Sequence, residues 1–214
     1  MPPPLELDDG QLWAQLERAV GTARAPRDEA RLRDAAKAFA AERFAEAARL
    51  LRPLVDRAPG VAAVRELYGL TLYRQGRWRA AARELEAFRA LTDSTEQHPV
   101  LADCYRALQR WSLVDELWAE LRQASPSASL VTEGRIVAAG ALADRGELPA
   151  AISLLSRGFR FPRQPRTHHL RRAYALADLH ERAGDVPRAR DLFARIAAVD
   201  PGFADVVERL RLLA

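Results

Sequence analysis

The amino-acid sequence predicts an all-α protein built as a solenoid of stacked helical hairpins. Three observations carry that reading. A bulky residue, a small residue three positions later and a large apolar residue four beyond it recur five times: Phe44-Ala47-Leu51, Trp78-Ala81-Leu85, Trp111-Val114-Trp118, Leu148-Ala151-Leu155 and Val186-Ala189-Phe193. The small residues are spaced by 34, 33, 37 and 38 positions, a period at which each repeat is one helical unit that buries its apolar face only against its neighbours. Val, Ile and Thr are sparse while Ala and Leu abound, which favours helix over strand.

Composition sets the outer limits. Of 214 residues, 49% are apolar, enough for a substantial core, and a repeat array of this length is expected to run as one continuous body. No run approaches the roughly 20 apolar residues of a membrane-spanning helix. The first ten residues hold three prolines and acidic side chains, where a secretory leader would place positive charge and then an apolar stretch. The expectation is a soluble, cytoplasmic protein. Its single cysteine, Cys104, excludes an internal disulfide framework. The bias toward Arg and Ala points to a GC-rich, bacterial source. Lys and Arg total 33 against 29 acids, a net charge of +4, and the excess is local. Six arginines and no acid lie between Arg157 and Arg172, so the remainder is slightly acidic.

The elements follow in order. Asp8 or Asp9 is placed to cap a short helix whose Leu12, Leu16, Ala19 and Val20 share a face, and residues 1–27 form a tail with that helix. The array then spans 28–201. Its first hairpin starts near Asp28 and turns at Glu42-Arg43. The second spans 62–91 and turns at Gln75-Gly76. The third runs from about Pro99 to Gln123. The fourth starts near Leu130, turns at Arg145-Gly146 and carries Gly158 in its second helix. The fifth starts near His169 and turns at Ala183-Gly184-Asp185. A last amphipathic helix, 203–213, is expected to cover the end of the stack. Gly76, Gly146 and Gly184 suit a left-handed backbone between helices. Pro59, Pro126 and Pro201 each follow a second helix, where a missing N–H does little harm.

On these residues the chain resembles the tetratricopeptide repeat family, most closely at Tyr68-Gly69, Leu72, Gly76, Trp78, Ala81 and Leu85. The resemblance implies a right-handed αα superhelix whose leading helices line a concave groove that binds a partner. It implies groove positions at Phe39, Glu66, Leu70, Tyr73, Arg74, Asp103, Arg106, Glu133, Tyr174, Asp178 and Glu181. Acids outnumber arginines along that face, so the expected partner is an extended or helical protein segment carrying basic side chains, held by Tyr73, Tyr174 and Leu70 as anchors. The family's basic clamp for a terminal carboxylate is not matched, since Leu32 and Ala36 occupy the corresponding first-repeat positions.

Other chemistry is thin. Arg157, Arg160, Arg163, Arg166, Arg171 and Arg172 with Phe159 and Phe161 offer an alternative: phosphates held by the basic side chains and bases stacked on the rings. The same loop would equally serve self-association or simply pack on the stack. The histidines at 98, 168, 169 and 180 lack metal-ligand spacing, Cys104 has no neighbouring base, and no Gly-rich phosphate loop occurs. No cofactor and no enzymatic activity are expected.

Overall fold

A computed structural model describes residues 9–213 of the chain, and no strand occurs among them. Twelve helices are described: α1 (Asp9–Val20), α2 (Ala25–Ala40), α3 (Phe44–Arg57), α4 (Ala62–Arg74), α5 (Trp78–Thr92), α6 (His98–Ala107), α7 (Trp111–Ala124), α8 (Ala128–Asp144), α9 (Leu148–Ser156), α10 (Thr167–Arg182), α11 (Val186–Val199) and α12 (Val206–Leu212). They divide into two compact units, the first ending at Arg110 and the second beginning at Trp111. The division falls inside the third sequence repeat. Asp8 and the Pro-rich start lie outside the described residues.

In the N-terminal unit each helix from α1 to α6 packs on the next, and the leading helices α2, α4 and α6 also touch in sequence. The C-terminal unit repeats the plan from α7 to α12, with α8 against α10. The small residue of every repeat is buried completely: Ala47, Ala81, Val114, Ala151 and Ala189 each have 0% exposure. Anything bulkier there would push two helix axes apart. The large apolar residue four positions on is equally buried in four repeats. The third departs, because Leu117 and Leu121 take that role while Trp118 stays half-buried, its ring facing the Arg135 guanidinium 5.7 Å away.

Two glycines mark the closest approaches. A Cβ on Gly69 of α4 would sit 2.8 Å from the Leu85 side chain of α5. On Gly134 of α8 it would sit 2.3 Å from Leu121 of α7, itself 1% exposed. A methyl group at either point has nowhere to go in a packed interior.

The reversal between paired helices is the same five times. The N–H of Arg43 donates to Ala38 O while that of Glu42 donates to Phe39 O. The pattern repeats at Arg77/Gly76, Arg110/Gln109, Glu147/Gly146 and Asp185/Gly184. This double bond from a left-handed residue satisfies carbonyls that the helix end would otherwise leave unpaired. Glycine supplies the left-handed residue in three hairpins, whereas Glu42 and Gln109 adopt it at φ 57°. Aromatic rings brace two of these turns edge-on, Phe39 with Phe44 at 5.5 Å and Tyr73 with Trp78 at 5.3 Å between centroids.

Several boundaries differ from expectation. The leading helix of the first hairpin begins at Ala25 rather than near Asp28, with Pro26 in its first turn, where no donor is lost. Helix α8 starts at Ala128 because Ser127 accepts the N–H of Leu130 at 3.1 Å. Gly158 lies beyond α9, at φ 66°, rather than within it. The final helix is only the seven residues of α12.

Gln109→Gly should stabilise the protein by about 0.5–1 kcal/mol, by relieving a left-handed side-chain residue. Gly146→Ala, which adds a methyl group to open space, should cost about 1 kcal/mol through the backbone alone. Gly134→Ala should cost about 1–3 kcal/mol by overpacking. Urea unfolding midpoints of the three variants check the order.

Candidate interaction surface

The leading helices place the expected groove residues in two separate sets, one in each unit. In the N-terminal set, Phe39 at the end of α2 is half-buried beside Phe44. Arg74 at the end of α4 lays its guanidinium 4.3 Å above the Phe44 ring and pairs with Glu42 at 2.9 Å. Tyr73 donates its hydroxyl to Asp103 of α6 at 2.7 Å, and Arg106 reaches the other Asp103 oxygen at 3.5 Å. These five residues share the C-terminal ends of α2, α4 and α6.

Two expected contacts are not on any surface. Leu70 is 0% and Glu66 1% exposed; both belong to the interior of the N-terminal unit. Helix α4 is sandwiched by α3, α5 and its neighbouring leading helices, so buried residues occur all round it. A single apolar stripe cannot be read from such a helix. The Glu66 carboxylate accepts from Gln97 Nε2 at 2.8 Å, which compensates its burial.

In the C-terminal set every expected residue is tied to an arginine or an acid. Glu133 of α8 binds Arg171 of α10 at 2.6 Å. Tyr174 donates to Asp205, and burial together with that carboxylate pushes its hydroxyl up to about 12. Asp178 and Glu181 both accept from Arg209 of α12, at 2.9 and 2.7 Å. The Arg209 guanidinium also faces the rings of Phe193 at 5.1 Å and Tyr174 at 5.9 Å. Burial disfavours its charge, yet the two carboxylates more than compensate and hold the proton more firmly than usual. Sequence reasoning missed this junction: an arginine in a short terminal helix reads as solvated, and its acceptors lie 28 and 31 positions earlier.

The Arg-rich segment resolves into two kinds of residue. Arg172 donates to the carbonyls of Leu155 and Arg157, and Arg135 also donates to Arg157 O at 2.9 Å. Together they close the end of α9, the place where cations meet the negative end of a helix. Burial and the neighbouring Arg135 push Arg172 down to about 10. Arg171 is held by Glu133. Arg157, Arg160, Arg163 and Arg166 remain as exposed side chains. Phe159 and Phe161 pack against the core of the C-terminal unit, and the Arg172 guanidinium lies 5.4 Å from the Phe159 ring. The segment is thus pinned at its start rather than protruding freely.

Among the described residues no group of three or more His, Cys, Asp or Glu is arranged to hold a metal ion. His169 Nδ1 accepts the backbone N–H of Arg166 at 2.9 Å, a helix-start contact. Burial, with Asp103 alongside, pushes the Cys104 thiol up to about 12, so it stays protonated and a poor nucleophile. No helix among the described residues is long and apolar enough to cross a membrane.

Comparison with solved structures decides the fold. TTC0263, a thermophilic TPR protein of Thermus thermophilus, superimposes with a TM-score of 0.65 at 18% identity, covering 87% of this chain and 98% of that one. The fold is that of the tetratricopeptide repeat proteins. MamA AMB-1 matches at TM-score 0.54 and 20% identity, over 85% of this chain and 96% of its own. YrrB, a TPR protein with an unusual peptide-binding site, matches at 0.51 and 15% identity, over 85% and 90%. No family profile and no curated protein sequence matches the chain.

Arg209→Met should release α12 while leaving the α8–α11 core intact. Hydrogen exchange across residues 206–212 is expected to lose its protection, with a fall in stability of about 2–4 kcal/mol from two carboxylates left unpaired. Unchanged protection would remove Arg209 from that role.

Proposed function

We propose that the protein is a non-enzymatic interaction scaffold that binds a peptide or helical segment of another protein across its leading helices. The observation that carries this reading is the N-terminal set: Phe39, Tyr73, Arg74, Asp103 and Arg106 gathered at one end of three consecutive leading helices. Its rings are held edge-on and its polar groups are fixed by bonds between adjacent repeats. Such a surface is ordered before binding, so little side-chain freedom is lost when a partner docks. Aromatic and Arg side chains of this kind dominate measured contact energies. The peptide-binding site named for YrrB, a protein of the same fold, lends support.

The pairing of the acids refines the partner. Asp103, Glu133, Asp178 and Glu181 each face an arginine of this chain, so bulk attraction for a basic segment is weaker than composition predicts. An apolar or aromatic anchor packing beside Phe39 and Tyr73, with polar contacts to Arg74 and Arg106, suits the surface better. Phe159 and Phe161 are partly buried against the core of the C-terminal unit, which makes them a weaker stacking platform for the nucleic-acid alternative.

Photo-crosslinking in the native cell tests the assignment. A benzophenone side chain at position 74 should capture a protein partner, whereas one at exposed Arg79 on α5 should not. Phe39→Ala should cut capture from position 74 several-fold with helicity unchanged. Equal capture from both positions would move the interface off the leading helices. A product of twice the chain mass would identify the partner as a second copy.

A further inference from the structure

Where α2 begins and α3 ends, a cavity of about 180 Å³ is lined by Arg24, Arg27, Asp28, Arg31 and Arg57. Asp28, 2% exposed, takes both arms of the Arg57 guanidinium, at 3.2 and 2.6 Å. That pair is self-contained and fixes the Arg57 fork in place. Arg24, Arg27 and Arg31 fall on the same face of the helix start, and among the described residues none has an acidic partner. Elsewhere on these two helices Arg33 pairs with Glu29 at 2.8 Å, and just before α3 Arg43 pairs with Glu46 at 3.4 Å. The cavity therefore holds four guanidiniums against one carboxylate, an uncompensated excess of three charges concentrated in a small concavity.

The helix end adds little of its own. The N–H groups of Arg24, Ala25, Arg27 and Asp28 already donate to Gly21 or Arg24 carbonyls, and Pro26 has none. Recognition of an anion here falls to the side chains. A carboxylate offers one charge and two oxygens, leaving most of the excess standing. A phosphate monoester offers up to two charges and three terminal oxygens, which match guanidinium forks.

A second cavity of about 430 Å³ adjoins the first across Arg57 and is lined by Gln15, Arg18, Ala19, Pro59 and Gly60. It offers room beside the first cavity for the organic part of an ester.

The geometry points to a phosphate monoester site, with the phosphoryl group among Arg24, Arg27, Arg31 and Arg57. It does not depend on the interaction surface of the leading helices. The ester's source is either a phosphorylated side chain of a protein or a small phosphorylated metabolite, two sources of one chemistry.

Calorimetry on the full chain distinguishes the outcomes, using N-acetyl-O-phosphoserine methylamide, its unphosphorylated counterpart, glucose 6-phosphate and inorganic phosphate. Phosphorylated probes should bind, and binding should weaken as pH falls below about 6, where the ester loses its second charge. Whichever ester binds more tightly names the source. The triple variant Arg24→Ala, Arg27→Ala, Arg31→Ala should lose about tenfold or more in affinity. It should melt like the parent, because it leaves the Asp28–Arg57 pair untouched. A control triple, Arg160→Ala, Arg163→Ala, Arg166→Ala, changes net charge equally and should bind normally. Equal binding of the unphosphorylated probe, retained affinity in the first triple, or equal loss in the control would each overturn the site.

Discussion

A helix that must reverse direction within three residues leaves its last carbonyls facing outward with no N–H ahead of them. In every hairpin of this chain one left-handed residue solves that problem. It turns two N–H groups back onto those carbonyls and starts the second helix antiparallel to the first. The rest follows from that geometry. In the four hairpins whose helices share a unit, the two helices pack on each other and the small residue three positions into the second helix has no exposed surface. Enlarging it would separate the pair, and separating the pair would leave the next hairpin without a face to pack on. Backbone conformation and side-chain volume are thus coupled once per repeat.

Successive leading helices are joined by a second kind of bond, polar rather than apolar. Tyr73 with Asp103, Gln97 with Glu66, Arg171 with Glu133 and Arg209 with Asp178 and Glu181 all link one leading helix, or the segment before it, to the next. Apolar contacts set the distance between repeats, and these bonds fix how each is turned relative to its neighbour within its unit. Gln97 and Glu66 are buried, whereas Tyr73, Asp103, Arg171 and Glu133 are at least partly exposed and so are both structure and surface. On the proposed interaction surface, Tyr73 and Asp103 are already fixed in position, which would favour selectivity by shape over adaptation.

Arginine has three different roles in this molecule. It joins repeats, as at Arg209 and Arg171. It closes a helix end, as Arg172 and Arg135 do for α9. It also gathers without counter-charge around the cavity at Arg24, Arg27 and Arg31. Counting charge along the chain found only the densest run, between 157 and 172, part of which is neither free nor projecting. A second cluster was not legible along the chain, because Arg24, Arg27 and Arg31 meet Arg57 only when α2 and α3 pack.

What the sequence determined alone is the repeat: its period, its buried small residues, its glycine turns at 76, 146 and 184, and hence the fold class. Those features were legible because each is local, a choice of residue volume or backbone freedom within about seven positions. Exposure was harder. Leu70 and Glu66 sit in register with surface residues, yet α4 is covered on several sides, so helical phase did not predict which face stays open. Trp118 yielded its core place to Leu117 and Leu121, which with Val114 form the one buried stripe of α7. Only the tertiary structure decided which charges meet, since the partners of Arg57, Arg171 and Arg209 lie 28 to 38 residues away. A salt bridge between repeats depends on a distance set by the packing of everything between them, and no short stretch of sequence carries that distance.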